Sequence, residues 1–223
     1  MSVPVSVVVV TYRRLARLGE VLAGWLQETP DVWLCDCSKD GFKTDLPVNI
    51  VRCRPDPGNR VRHAVALMTK GDVVIKADDD IVPLPGLAAD FVAAHAKHGE
   101  GIYGVHGRIF RGERYYLDTR LIGSKKLTET QAVDFVGVIT AAPRSLLPFD
   151  LRGCESSVED LFWQMRQFPR AKKYVIATDK FRNLPECRDK ERLCGTMAQR
   201  DIRRRFYTDW YKRNYKGKDR RWG

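Results

Sequence analysis

Asp78, Asp79 and Asp80 are three consecutive carboxylates placed directly after Asp72-Val73-Val74-Ile75-Lys76-Ala77, an apolar run that reads as a buried strand. Adjacent carboxylates repel one another and are costly to hold together unless a cation or basic residues neutralise them. Their hard oxygens suit Mg²⁺ or Mn²⁺ bridging a diphosphate. The plainer reading is an acidic turn before Pro83 and Pro85 that caps the next helix; position after a buried strand favours the metal–diphosphate reading. A second acidic pair, Glu159-Asp160, lies in a predicted helix over 158–167, where Ser156 or Ser157 three residues earlier already accounts for it as a capping box. The third feature is the basic end of the chain. Residues 200–223 hold ten Lys/Arg against three Asp, +7 of a total net charge of +11. There Arg203, Arg204, Arg205, Lys212, Arg213, Lys216, Lys218, Arg220 and Arg221 interleave with Phe206, Tyr207, Trp210, Tyr211, Tyr215 and Trp222. That mixture suits phosphate pairing and base stacking, and so DNA as a partner. An amphipathic helix whose aromatics close the core, with its basic face in water or on anionic headgroups, explains it equally.

The elements that must position these residues follow from patterning. Val5 to Val10 is a continuous β-branched run, expected at the centre of a parallel sheet. A helix over 13–27 and a strand over 32–35 complete a βαβ unit, and the alternation continues with a strand over 48–52, a helix over 60–69 and the strand ending at the carboxylates. Beyond a helix over 87–98 the sheet turns mixed: strands over 101–110 and 114–117 joined by the turn Arg111-Gly112-Glu113, then a strand over 134–140 and a short helix over 144–147. In an open parallel sheet ligands bind beyond the carboxyl ends of the strands, which selects Thr11-Tyr12, Asp36 and Asp78 to Asp80. At 223 residues the chain should form one domain over 1–183 with a basic, aromatic-rich extension over 184–223. It is 43% apolar and 30% charged, which excludes a disordered chain or a collagen-like fibre. With no apolar run near the ~20 residues of a membrane helix and no secretory leader, the expected location is the cytoplasm. Six cysteines without framework spacing are expected to be reduced. Cys35, Cys37 and Cys53, and likewise Cys154, Cys187 and Cys194, read as buried thiols before zinc ligands. His95 and His98 read as surface residues of a helix, and His106 as a core histidine or a sugar contact.

From about Val5 to about Phe168 the sequence resembles the family-2 glycosyltransferases with the GT-A fold, an α/β Rossmann-like nucleotide-binding architecture with a mixed, mostly parallel sheet. Val7-Val8-Val9-Val10-Thr11-Tyr12 looks like that family's opening strand. Leu34-Cys35-Asp36-Cys37-Ser38-Lys39-Asp40 is similar to its D-D-x-S-x-D turn, with Cys35 in place of the first Asp. Arg62-His63 stands at the family's Arg-Asn pair, Asp78-Asp79-Asp80 matches its D-x-D motif, and Val158-Glu159-Asp160-Leu161 its E-D motif. Phe135-Val136-Gly137, followed by 144–150, is similar to the acceptor-side segment.

The resemblance implies transfer of a sugar, with inversion, from a nucleoside-diphosphate sugar to an acceptor hydroxyl. Thr11, Tyr12, Arg13, Asp36, Arg62, Asp78 and Asp79 are then the donor residues, Asp36 accepting from an imide N–H as uracil would require. Asp80 is the main ligand of Mn²⁺ or Mg²⁺, with Asp78 beside it. Asp160, with Glu159, takes the proton of a hydroxyl that is a poor nucleophile at neutral pH. Joined to the basic end, this points to a bacteriophage-type enzyme acting in the host cytoplasm on 5-hydroxymethylpyrimidine in DNA, reached by base flipping; a saccharide or lipid-linked acceptor is the alternative. A nucleotidyltransferase would usually show a Gly-rich loop after the first strand, which Thr11-Tyr12-Arg13-Arg14 lacks. A non-catalytic nucleic-acid-binding module would need neither Asp80 nor Asp160.

Overall fold

The computed structural model describes residues 3–12, 14–54, 58–147, 159–167, 171–184 and 197–215, with the side chains of 59, 197–199 and 214–215 outside that description. β-Branched side chains pack well on a pleated surface, and β1 (Val5–Thr11) buries Val7, Val8 and Val9 completely. After α1 (Leu18–Glu28) come β2 (Val32–Asp36), β3 (Asn49–Arg52), α2 (Val61–Met68), β4 (Val73–Asp78), the short β5 (Ile81–Pro83) and α3 (Leu87–His98). Strands β3, β2, β1 and β4 run parallel in that spatial order. Gly71 permits the join: a Cβ there would lie 2.5 Å from the Ser6 backbone nitrogen, so only glycine lets the chain enter β4 so close to β1.

The second half is mixed. It contains β6 (Gly101–Phe110), β7 (Thr119–Gly123), β8 (Gln131–Val133), β9 (Phe135–Pro143), α4 (Glu159–Arg166), β10 (Lys172–Val175), β11 (Phe181–Asn183) and α5 (Met197–Tyr215). Among the described residues the full sheet order is β3-β2-β1-β4-β9-β6-β10-β8, with β7 paired to β6 and a separate β5–β11 ribbon. One face buries Trp25 of α1 and Phe91 of α3; the other buries Val65 of α2 and Trp163 of α4. Helix α4 is fastened to β9 through Gln164, whose Oε1 accepts from Val136 N at 2.8 Å and whose Nε2 donates to Val136 O at 2.6 Å. The fold class expected from the sequence, α/β with a mixed sheet flanked by helices, is the one found.

Two local expectations are corrected, and the basic end takes one of its two readings. Residues 14–17 precede α1 instead of forming its first turn, and α1 begins at Leu18 with no side-chain cap. Residues 114–117 are not a strand: the Asp118 carboxylate accepts from Arg114 N at 3.1 Å and Asp118 N donates to Arg114 O at 2.8 Å, closing a turn, so the partner of β6 starts only at Thr119. The basic end is built into the fold over α5. Tyr207 is fully buried against Phe110, Tyr115, Phe135, Leu161 and Met165, and its hydroxyl donates to Gly112 O at 2.8 Å.

Because α5 is held by that aromatic plug, Tyr207→Ala should lower unfolding stability in urea by about 3–5 kcal/mol, the range for emptying an aromatic site. Tyr207→Phe, which loses only the hydroxyl's hydrogen bond, should cost about 1 kcal/mol. Equal and small losses for both would show that the helix is not fastened through this ring.

Candidate active site

The carboxyl ends of three parallel strands lie in register. Thr11 is paired with Asp36 and Val10 with Asp78, so β1, β2 and β4 deliver Thr11, Asp36 and the acidic turn to one edge of the sheet. Asp36 is buried. Its Oδ1 accepts from Ser38 N and Oγ at 3.0 and 2.5 Å and its Oδ2 from Phe42 N at 2.7 Å. Burial alone would raise this carboxyl, but those bonds outweigh it and hold it below the ordinary carboxylate range. Two carboxylate oxygens offer about four acceptor positions, so among the described residues Asp36 is braced by its own turn with one position left on Oδ2.

Each residue of the acidic turn has a protein partner. Asp79 accepts from Thr11 Oγ1 at 2.8 Å on Oδ2 and from Arg14 Nη1 at 3.1 Å on Oδ1, and the same Nη1 reaches Asp80 Oδ2 at 2.7 Å. Burial pushes the Asp79 carboxyl up to about 6 in spite of these bonds. Asp78 Oδ1 accepts from Arg62 Nη1 at 3.2 Å, and its carboxyl is likewise raised by burial. The turn is anchored from outside by Leu184 N, which donates to Asp80 O at 2.8 Å.

Arg62, on the first turn of α2, carries the site across to α4. Its Nη2 lies 3.1 Å from Glu159 Oε1, an ion pair. Glu159 is fully buried, and burial first, then the neighbouring Asp160, push its carboxyl up to about 7. Asp160 is partly exposed. Its Oδ1 accepts from Leu161 N at 2.8 Å and from Arg203 Nη2 at 2.7 Å. Behind Arg62 lies a buried cluster in which Lys76 Nζ sits 3.1 Å above the Trp163 ring and 3.3 Å from His63 Nδ1. Desolvation pulls both His63 and Lys76 well below their ordinary values, which keeps this cluster low in charge behind the carboxylates.

Among the described residues no group of three or more His, Cys, Asp or Glu side chains converges as a metal cage. The donor set nevertheless fits a shared ion. Among the described residues Asp78, Asp79, Asp80, Glu159 and Asp160 are met by Arg14, Arg62 and Arg203, an excess of carboxylates over cations, and Asp78 Oδ2 and Asp80 Oδ1 accept no hydrogen bond from described residues. One or two carboxylates plus substrate phosphates are the usual complement for Mg²⁺.

The structure thus brings together Thr11, Arg62, Asp78, Asp79, Asp80, Glu159 and Asp160, with Asp36 and Tyr12 at the same sheet edge. Arg13 lies outside the described residues, as do Lys216, Lys218, Arg220 and Arg221 and, of the cysteines, Cys154, Cys187 and Cys194. Arg204, Arg205, Lys212 and Arg213 are exposed on α5, whereas Arg203 turns inward to Asp160. Cys35 and Cys37 are buried thiols, and Cys53 is half-buried. His106 is exposed on β6, edge-on to Phe181. Sequence reading missed Arg14, Lys76 and the inward direction of Arg203. Only the basic pair after β1 hinted at the first.

No family model matches the sequence and no curated protein matches it. Solved structures do. The crystal structure of S. aureus TarS has a TM-score of 0.58 at 18% identity over 80% of this chain and 36% of that one. Residues 1–349 of the same protein give 0.55 at 16% over 80% and 59%. Their complex with UDP-GlcNAc gives 0.56 at 17% over 80% and 57%. This chain therefore spans less than two thirds of each. At these identities the likeness establishes the fold, GT-A.

A carboxyl held above its unfolded value keeps its proton in the folded chain after the unfolded chain has lost it. Glu159 therefore favours the fold at low pH, and that contribution is lost as pH rises from about 4.5 to about 7. Glu159→Gln should flatten the decline of unfolding free energy over this interval relative to wild type, measured by urea titration at stepped pH. Parallel profiles would mean that Glu159 ionises as an ordinary surface carboxylate does.

Proposed function

We propose that this chain is a glycosyltransferase that moves a sugar from a nucleoside-diphosphate sugar, with UDP as its nucleotide, to an acceptor hydroxyl. The observation that carries the reading is Arg62. It ties Asp78, at the end of the strand that would receive the diphosphate, to Glu159, beside the carboxylate that would receive the proton. Two acidic motifs separated by about eighty residues thereby become the two sides of one site. The structural neighbour solved with UDP-GlcNAc supports the donor class.

On this reading Asp36 and Thr11 border the nucleoside, and Arg62 and the acidic turn border the diphosphate. Asp160 faces the acceptor. As the acceptor oxygen bonds to the anomeric carbon, the carbon–phosphate-oxygen bond breaks, the diphosphate leaves with that electron pair, and the hydroxyl proton passes to Asp160. Attack from the side opposite the diphosphate inverts the anomeric centre. Glu159 has no exposed surface, so we assign it as a positioning residue that holds Arg62, and Asp160 as the catalytic base. Asp80 and Asp78 would hold Mn²⁺ or Mg²⁺ together with the diphosphate, an ion that offsets the charge developing on the leaving group.

For the acceptor we propose a hydroxyl carried on a phosphate-rich molecule, with 5-hydroxymethylpyrimidine in DNA favoured over a saccharide or lipid-linked acceptor. Supporting this, Arg203 touches Asp160 while Arg204, Arg205, Lys212 and Arg213 are exposed along the same helix. In the described residues no helix is long and apolar enough to cross a membrane.

Mass spectrometry on hydroxymethylpyrimidine DNA, unmodified DNA and simple saccharides, with a panel of nucleotide sugars and Mn²⁺, tests the reading. A sugar-sized mass gain lost in Asp160→Asn is expected, and Asp160→Asn should still bind UDP. No transfer to any acceptor and no donor hydrolysis would overturn the enzyme reading in favour of a binding module. If DNA is the acceptor, Arg204→Ala/Arg205→Ala should raise the acceptor KM at least tenfold, leave the donor KM unchanged and weaken the dependence on salt. Transfer to saccharides alone, unaffected by salt, would contradict a DNA acceptor.

A further inference from the structure

We propose that Arg14 is an internal counter-cation of the acidic turn: it holds Asp79 and Asp80 closed to free divalent metal and turns onto the diphosphate when a metal-bound nucleoside diphosphate arrives. The second half of this rests on the donor reading above; the first half does not.

The geometry separates the three carboxylates by how firmly they are held. Asp79 is pinned on both oxygens, by Thr11 at 2.8 Å and Arg14 at 3.1 Å. Asp78 is held by Arg62, which is itself locked between two carboxylates. Asp80 is different. Among the described residues Arg14 alone bonds its carboxylate, on Oδ2 at 2.7 Å, and its Oδ1 accepts nothing. A cation entering the turn through Asp80 therefore meets the Arg14 guanidinium on the same carboxyl group, and two positive charges at that spacing repel.

Arg14 is also placed to move. It lies in the non-helical stretch before α1, and its long side chain can pivot about its own bonds. The Arg14 and Asp80 side chains are 15% and 23% exposed, so both reach solvent, and when Arg14 leaves, Asp79 gives up its bond on Oδ1 but keeps Thr11 on Oδ2. A diphosphate offers the released guanidinium what it leaves behind, a bidentate array of anionic oxygens. Metal without nucleotide has to displace Arg14 with no such compensation. Metal with nucleotide does not.

The consequence is a pair of opposite effects from one substitution. Free Mn²⁺ is followed by its electron paramagnetic resonance signal as the full chain is titrated with Mn²⁺ alone, and UDP binding at saturating Mn²⁺ is followed by calorimetry. In Arg14→Met, Mn²⁺ alone should bind about tenfold tighter than in wild type, about 1.4 kcal/mol, while UDP with Mn²⁺ should bind about tenfold weaker. Arg14→Lys, which restores a positive charge without the planar fork, should return Mn²⁺ binding towards wild type. Unchanged or weaker Mn²⁺ binding in Arg14→Met overturns the counter-cation role, as does a gain that survives in Arg14→Met/Asp80→Asn, because the ion would then sit elsewhere. UDP binding unchanged in Arg14→Met overturns the turn onto the diphosphate. A wild-type chain that binds no UDP overturns the nucleotide-sugar reading and the diphosphate half with it, and the Mn²⁺ arm then decides the counter-cation half by itself. Circular dichroism of each variant shows that the fold is retained.

Discussion

The site depends on a guanidinium held between two carboxylates. Arg62 contacts Asp78 at 3.2 Å and Glu159 at 3.1 Å with little of its side chain exposed, so its charge is secured by those two partners more than by water. Desolvation would lower its proton affinity, and Glu159, Asp78 and Asp160 more than restore it. A buried ion pair is not by itself a large source of stability, because both partners have given up hydration. Removing one partner is what costs, since the other charge remains buried. The arrangement therefore acts as a positional lock: Arg62 stays where both carboxylates require it, and each carboxylate stays where Arg62 can reach. The low-charge cluster of His63, Lys76 and Trp163 behind it adds packing without adding a competing anion.

The side of the site proposed for the acceptor is completed by an element that composition alone presents as a tail. Helix α5 is basic, but its apolar positions are not solvated. Tyr207 fills a pocket made by β6, the turn after it and α4, and Phe206 packs on Phe162 with ring centroids 5.6 Å apart. Docking in that orientation brings Arg203 onto Asp160 and leaves Arg204 and Arg205 facing outward. The helix therefore contributes one cation to the site and a charged rim beside it. The two readings of the basic end, a core-closing helix and a polyanion-binding surface, are compatible because they use different faces of the same helix.

How much of this the residues disclosed varied with how local the cause was. The β-branched run of β1 and the carboxylates after β4 are short-range signals, and they located the parallel half of the sheet and the edge proposed for the donor. The segment 114–117 misled because Tyr115, Tyr116 and Leu117 suit a strand, while the Asp118 carboxylate that closes the turn lies just past the window. Arg14 on Asp80, Lys76 over Trp163 and Arg203 on Asp160 join residues 66, 87 and 43 positions apart. No periodicity or spacing rule encodes such pairs. They follow from which strands become neighbours and which helix covers them. Lys76 is the plainest case: it lies fully buried within an apolar strand against the Trp163 ring and His63 Nδ1, where desolvation holds it well below its ordinary value.

On the proposed reading the Asp78–Asp80 turn and the Glu159-Asp160 pair are the donor and acceptor sides of one catalytic site. A crystal structure of the chain with an intact UDP-sugar and Mn²⁺ tests this most directly. The account predicts the diphosphate at the end of β4 against Asp80 and Arg62, with the anomeric carbon facing Asp160 across an opening wide enough for a hydroxyl. A nucleotide bound away from the ends of β1 and β4, or a sugar turned away from Asp160, would contradict it.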